Sequence, residues 1–268
     1  MPTINIQEKK LHYEEFGEGQ PLILIHAALL DSRMWEKNVP TLAANYRVIT
    51  YDLSGYGMSL FAEDRRVDHP GDLAALLRAL GIDRAHILGT SMGGEIALRF
   101  ALQSPAMVRS LILVGAGLEG YDYPEEAFAW WDGFVAAMRA GDFEQARQIF
   151  MRNGFDSASA PLTSDERAGL QTILKDYSMR HYLDDTLLWK GYDRAAAQQL
   201  GEIACPCLIL VGDGDSAVNQ DIGRFMAEHL PRAVFRTIPG AGHLPNWQQP
   251  KAFSAAVTAF LAGEGIAT

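Results

Sequence analysis

Disulfide chemistry has little to work with in this chain, because its 268 residues include only two cysteines, Cys205 and Cys207. They stand in Ile203-Ala-Cys-Pro-Cys-Leu-Ile-Leu-Val211, where a strand would direct both side chains the same way, so a bridge between them is not expected. A metal would need further ligands, and no other Cys or His accompanies the pair in the adjacent sequence. They are expected to be reduced packing residues near a strand start, with no metal and no cofactor. Positive charge is also scarce. Lys and Arg number 23 against 33 Asp and Glu, a formal net charge of -10. No Lys/Arg-rich run offers the concentrated positive face that phosphate binding needs, which argues against nucleic acid. The acidic balance likewise disfavours anionic membranes. Long apolar runs are missing too: Met1 to Lys10 lacks the apolar centre of a signal peptide, and no later run is long enough to span a bilayer. A cytoplasmic protein acting on a small molecule is expected.

What is present is core-forming material. Hydrophobic residues make up 48% of the chain and charged residues 21%, enough for a large interior with little left for a disordered tail. At this length one core domain carrying an insertion is expected. Apolar, β-rich runs recur at Pro21–His26, Arg47–Asp52, Ala85–Gly89, Val108–Val114 and Cys207–Gly212, and read as buried parallel strands. Between them lie helical segments, Asp68 to Leu80 stopped by Gly81, and Met92 to Gln103 stopped before Pro105. This alternation predicts a mostly parallel sheet with helices on both faces.

The ends and the middle depart from that rhythm. Ile4 to Phe16 alternates and contains a Glu-Lys-Lys turn, so it predicts an antiparallel hairpin at one edge. Ala233–Ile238 and Ala252–Leu261 supply a last strand and a closing helix. Between Gly117 and about Gly201, Phe128, Trp130, Trp131, Phe134, Met138, Phe143, Phe150, Trp189 and Tyr192 recur at broadly helical spacing with no strand-like run. An inserted helical cap is expected over residues 118–201, with core domain on either side at 1–117 and 202–268. Its aromatics are expected to bury the cap and to wall a pocket over the sheet's carboxyl edge.

Gly89-Thr90-Ser91-Met92-Gly93 follows one predicted strand and opens a predicted helix, the setting a nucleophile elbow needs. Flanking glycines let the backbone turn sharply, so the serine oxygen stands clear beside the free N–H groups of a helix start. Val211-Gly-Asp-Gly-Asp215 then runs from a strand into a loop with two carboxylates, either of which can serve as an acid. Pro239-Gly-Ala-Gly-His243-Leu-Pro245 places a histidine on a glycine-rich loop after the last strand. The resulting order is Ser, Asp, His. His12, His69, His86 and His229 read as structural or solvent-exposed, and His26 as a brace for the loop that follows it.

Taken with that order, the chain resembles the α/β-hydrolases along nearly its whole length outside the cap. His26-Ala27-Ala28 is similar to the family's His-Gly-x oxyanion loop, and Asp52-Leu-Ser-Gly-Tyr-Gly-Met-Ser59 to its Asp-x-x-Gly-x-Gly-x-Ser loop. Ala27 stands where glycine is usual. Ser54 stands where many relatives have arginine, so a common loop-bracing contact is expected to be missing. The resemblance implies Ser91 as nucleophile, His243 as base, and Asp215 rather than Asp213 as acid, from the Gly-x-x-Asp pattern counted from Gly212. It also implies backbone N–H groups of Ala28 and Met92 as the oxyanion hole. A serine at the elbow argues against dehalogenase and epoxide-hydrolase relatives. His26-Ala-Ala-Leu-Leu-Asp31-Ser-Arg-Met-Trp35 resembles esterases and enol-lactonase-like members. Hydrolysis of a carboxylic ester, open-chain or lactone, is therefore the expected reaction. A carbon–carbon bond hydrolase of aromatic ring-cleavage products, with scattered basic candidates Arg139, Arg147, Arg152 and Lys190, is the alternative. A non-catalytic small-molecule binder ranks behind both.

Overall fold

Val, Ile and Leu runs bury both faces of a strand at once, and in the computed structural model they form the centre of one sheet. The structure describes residues 2–6, 9–60, 66–183 and 187–263, without the side chains of Arg180, Leu188 and Trp189. In chain order the strands are β1 (Thr3–Ile6), β2 (Lys9–Phe16), β3 (Gln20–Ile25), β4 (Tyr46–Tyr51), β5 (Arg66–Val67), β6 (Ala85–Thr90), β7 (Val108–Val114), β8 (Leu188–Trp189), β9 (Cys207–Gly212) and β10 (Ala233–Ile238). Eight of them make one sheet in the order β1-β2-β4-β3-β6-β7-β9-β10. Only β2 runs against its neighbours, so the sheet is mostly parallel with an antiparallel edge. Leu22 to Ile25 and Ile87 to Leu88 are fully buried at its centre.

The helices are α1 (Val39–Leu42), α2 (His69–Ala79), α3 (Met92–Gln103), α4 (Trp131–Arg139), α5 (Phe143–Phe150), α6 (Ser164–Asp176), α7 (Arg180–Leu183), α8 (Ala217–His229), α9 (Pro245–Gln248) and α10 (Pro250–Leu261). The side chain of Asp68 accepts from Gly71 N at 3.0 Å and starts α2, while Gly81 takes up a φ of 67° just past its end, as its composition predicts. Among the described residues no helix is long and apolar enough to cross a membrane.

Two local expectations need correction at the amino-terminal edge and in the cap. Lys9 and Lys10 lie within β2, Lys9 facing Ile6 across the ladder, and Glu8 of the expected turn lies outside the described residues. Lys9 leaves the turn because its ammonium is buried against Asp72 of α2, at 2.7 and 3.0 Å. The segment expected to have no strand contains β8, which pairs with β5 in a separate two-stranded sheet. Two residues carry no readable period, and their pairing is decided by a distant partner rather than by local propensity.

In the segment expected to form a cap, residues 118–201, the aromatic rings turn mainly to one another. Phe150 has Trp130, Phe134 and Phe155 at centroid distances of 5.5, 5.3 and 5.1 Å. Phe128 is exposed. From the cap a 3₁₀ segment, Ala196–Glu202, packs on α3 and α8 and returns the chain to the start of β9. There Cys207 is buried, Cys205 is half-buried, and both are free thiols.

Candidate active site

The serine sits where the fold tolerates strain. Ser91 joins β6 to α3 with φ 54° and ψ −120°, a conformation that side-chain-bearing residues rarely adopt. Its amide donates to Val114 O on β7 at 2.8 Å, which holds the turn down. The neighbouring glycines are demanded by space: a Cβ on Gly89 would lie 2.1 Å from Gly93 O, and one on Gly93 would lie 2.4 Å from Ile25 O. The elbow therefore presses directly onto the end of β3 and the His26 loop.

The other two residues reach it from the loops after β9 and β10. His243 Nε2 is 3.0 Å from Ser91 Oγ, and His243 Nδ1 is 3.0 Å from Asp215 Oδ2. This geometry fits Nδ1–H donating to Asp215 and Ser91 O–H donating to Nε2. Asp215 and His243 are buried, whereas Ser91 is half-buried and remains reachable. Burial pushes the Asp215 carboxyl up, but the charge and hydrogen bond of His243 outweigh it, aided by Asn219 and Ser216 N, so its pKa falls below the ordinary carboxylate value. Burial pushes His243 down, and the charge and hydrogen bond of Asp215 reverse that, leaving its pKa above the ordinary imidazole value.

Asn219 escaped sequence reading. Its Nδ2 donates to Asp215 Oδ1 at 2.8 Å, alongside Ser216 N at 2.7 Å, so both outer lone pairs of the acid are occupied. The available signal was its position, four residues past Asp215 in the first turn of α8. Asp213 is exposed, but it also accepts from Gly240 N at 2.8 Å and so ties the loop after β9 to the histidine loop.

The loop expected to supply an oxyanion donor is a tight turn: Leu30 N donates to Ala27 O, and the left-handed residue within it is Leu29, φ 60°. Ala27 therefore replaces glycine without a left-handed backbone of its own. Among the described residues, the amides of Ala28 and Met92 donate to no protein acceptor. His26 is fully buried, its Nδ1–H donating to Ala27 O at 2.9 Å and its Nε2 accepting from Leu53 N at 3.0 Å. Burial lowers its pKa against the opposing charge of Asp52, which suits this neutral, two-sided brace. The contact expected to be missing at Ser54 is replaced: Ser54 is buried and its Oγ donates to Asp72 Oδ2 at 2.9 Å. His12, His69 and His86 are buried and lie apart from the Ser91–His243–Asp215 relay.

A cavity of about 180 Å³ beside the elbow is lined by Met92, Glu95, Arg99, Lys190 and Tyr192, among others. A larger one, about 520 Å³, lies within the cap against Arg147, Arg152, Arg167 and Lys175. Arg139 is exposed on α4. Of the four basic candidates, Lys190 alone shares a described cavity with a residue of the elbow.

A parallel sheet carrying a strained serine at a strand–helix turn, with imidazole and carboxylate in line behind it, defines a hydrolase. The chain belongs to the alpha/beta hydrolase fold family, whose sequence profile matches residues 20–250. It is 30% identical to a 2-hydroxy-6-oxononadienedioate/2-hydroxy-6-oxononatrienedioate hydrolase of Paraburkholderia xenovorans, across 95% of this chain and 91% of that one. Among solved structures, a thermophilic esterase of Thermogutta terrifontis, bound to malate, superimposes with a TM-score of 0.79 at 25% identity, covering 98% of this chain and 99% of that one. The enol-lactonase of Burkholderia xenovorans shares the fold at a TM-score of 0.81 and 22% identity, over 97% and 100% of the two chains.

Proposed function

We propose that this chain cleaves a carbon–carbon bond in a 2-hydroxy-6-oxo-dienoate, using Ser91 as nucleophile, His243 as base and Asp215 as its orienting acid. The observation that carries the chemistry is the unbroken relay at 3.0 Å on each side of His243. The likeness to the dienedioate hydrolase carries the substrate class, which moves the reading from the ester first expected to the alternative. A 2-hydroxy-6-oxo-dienedioate contains no ester, so its hydrolysis must break the bond between C5 and the C6 carbonyl carbon.

The steps balance without a co-reactant other than water. The dienol first becomes its keto tautomer, its hydroxyl proton moving to C5. Ser91 Oγ then attacks C6 while His243 takes its proton, and the N–H groups of Ala28 and Met92 hold the oxyanion. Collapse breaks C5–C6, and the electron pair leaves as a dienolate that takes the proton from His243. Water, deprotonated by His243, releases the acid from Ser91. The cap, residues 118–201, selects the substrate; in the cavity beside Met92, Arg99 is paired with Glu119 and Lys190 with Asp68, so a substrate carboxylate would bind there by displacing one of these acids.

Ester or lactone hydrolysis is the second reading, favoured by the full-length likeness to the Thermogutta esterase. The assembled relay weighs against a non-catalytic binder. A panel of 2-hydroxy-6-oxo-nonadienedioate, p-nitrophenyl esters and lactones separates these readings. The dienedioate is expected to lose its long-wavelength absorbance with a kcat/KM at least about ten times that of any ester, a difference of roughly 1.4 kcal/mol. Turnover of esters with none of the dienedioate would install the second reading instead.

The rate should also depend on pH in a defined sense. His243 must be neutral to accept the Ser91 proton, and its pKa is raised by Asp215. Activity in kcat/KM is therefore expected to fall on acidification through a midpoint above the ordinary imidazole value. A rate unchanged between about pH 5 and 8 would remove His243 from the role of base.

A further inference from the structure

We propose that Tyr56 is a positioning residue through which the cap sets the oxyanion site. The inference rests on the reading that the amides of Ala28 and Met92 hold the oxyanion. Tyr56 lies in the loop after β4 and is 1% exposed. On its core side the ring meets His26 edge-on at 5.1 Å, and its hydroxyl faces the sulfur of Met92 at 3.6 Å. His26 is the residue that holds both Ala27 O and Leu53 N. One phenol thus touches the brace of one oxyanion donor and the side chain of the other.

On its opposite side the same ring meets the 118–201 segment, with His69 of α2 at its margin at 6.3 Å. Tyr177, which ends α6, stacks on it at 4.8 Å and 10°. His181 of α7 lies at 4.1 Å. Burial, together with the neighbouring phenols of Tyr177 and Tyr182, pushes the pKa of the Tyr56 hydroxyl well above its ordinary value. Tyr177 OH also donates to His181 Nδ1 at 2.7 Å, which leaves His181 Nε2–H to donate to Ser54 O at 3.0 Å. The chain reaches this arrangement through Met179, a buried residue held at φ 58° between α6 and α7. A left-handed backbone on a side-chain-bearing residue is strained, and persists only where the surroundings over-determine it.

Packing alone does not require this chemistry. Phenylalanine would fill the same volume, whereas buried hydroxyls must be hydrogen-bonded and so fix which arrangement of cap and loop is allowed. With the cap seated, Tyr56 is held from three directions and presses His26 and Met92 into place. With the hydroxyl bonds cut, the ring keeps its contacts but loses its orientation, and the two amides lose their common aim. The effect belongs in the transition state, where the oxyanion exists, rather than in substrate binding.

The test changes the cap and reads the core. In the full-length Tyr177→Phe/Tyr182→Phe variant, the amides of Leu30 and Leu53 are expected to exchange hydrogen at least about fivefold faster, with β6 and β7 unchanged. The kcat for whichever substrate is turned over should fall about tenfold while KM stays within about twofold. Adding Tyr56→Phe should then cost little more, because the three hydroxyls act as one unit. If the double variant is poorly folded, Tyr182→Phe alone is read the same way. Faster exchange confined to residues 177–183, or a change in KM with kcat intact, would overturn the proposal. Hydrogen exchange needs no substrate, so loss of this inference and loss of the carbon–carbon hydrolase reading are seen separately.

Discussion

Replacing Ser91 by alanine is expected to lower kcat by about 10⁶-fold, for ester and dienedioate substrates alike. The size follows from the chemistry: no other hydroxyl in the relay can carry the acyl group, and among the described residues His243 Nε2 faces the hydroxyl of Ser91 at 3.0 Å. Alanine keeps the φ of 54° and the amide bond to Val114 O, so the fold should survive with its strain intact. Glycine at the same position should remove activity equally while gaining roughly 1 kcal/mol of stability, because it occupies that backbone region freely. Acid-quenched mass spectra during turnover should show an acyl adduct on the unaltered chain and none on either variant. Turnover of Ser91→Ala within about tenfold of normal would sink the covalent route, leaving His243 to activate water directly.

Changing Asp215 to asparagine is expected to cost up to about 10⁴-fold in kcat. The amide preserves the shape, but it cannot stabilise an imidazolium, and its NH₂ would favour the histidine tautomer with Nδ1 as acceptor. Asn219 sharpens the loss, since its Nδ2 and Ser216 N, both donating at the Oδ1 position, would hold the new carbonyl there and turn the NH₂ toward His243. The acid limb of the pH profile should also move to lower pH, because the charge that raises the His243 pKa is gone. Asp213→Asn should be mild, within about tenfold, since an amide oxygen can still accept from Gly240 N. Kinetics of the two variants, measured side by side, decide the matter. A reversed order would make Asp213 the acid and the observed hydrogen bond to Asp215 incidental.

The parts of the site that could be read in the sequence are those whose chemistry is local. A strand, a serine between glycines and a helix start within a dozen residues leave few other structures possible, and the strand-end loops carrying Asp215 and His243 share that property. Asn219 was missed because nothing near it marks an asparagine at a helix start as more than a capping-type residue. Ser54 was read as the loss of an arginine, whereas its partner Asp72 stands 18 residues away and is itself neutralised by Lys9 from a third element. The strand order was equally beyond local reading: β4 inserts between β2 and β3, and apolar runs that look alike do not say which of them pair. Tyr56, Tyr177 and Tyr182 meet only after more than a hundred residues of chain have folded, so no spacing announces them.

The Ala196–Glu202 segment gives the cap a bearing on how such enzymes diversify. Strands β7 and β9 are parallel neighbours, so whatever leaves the carboxyl end of one must travel the full depth of the sheet before entering the other. That passage is made by the 3₁₀ segment against α3 and α8, and the lid before it can lengthen, shorten or be replaced so long as the contacts of Tyr177 and His181 on Tyr56 are kept. A recombinant chain that imports a foreign lid while retaining this return path keeps the sheet's connectivity. One that cuts the return path away must rebuild a crossover, and its substrate range would change only after its ability to fold had been put at risk.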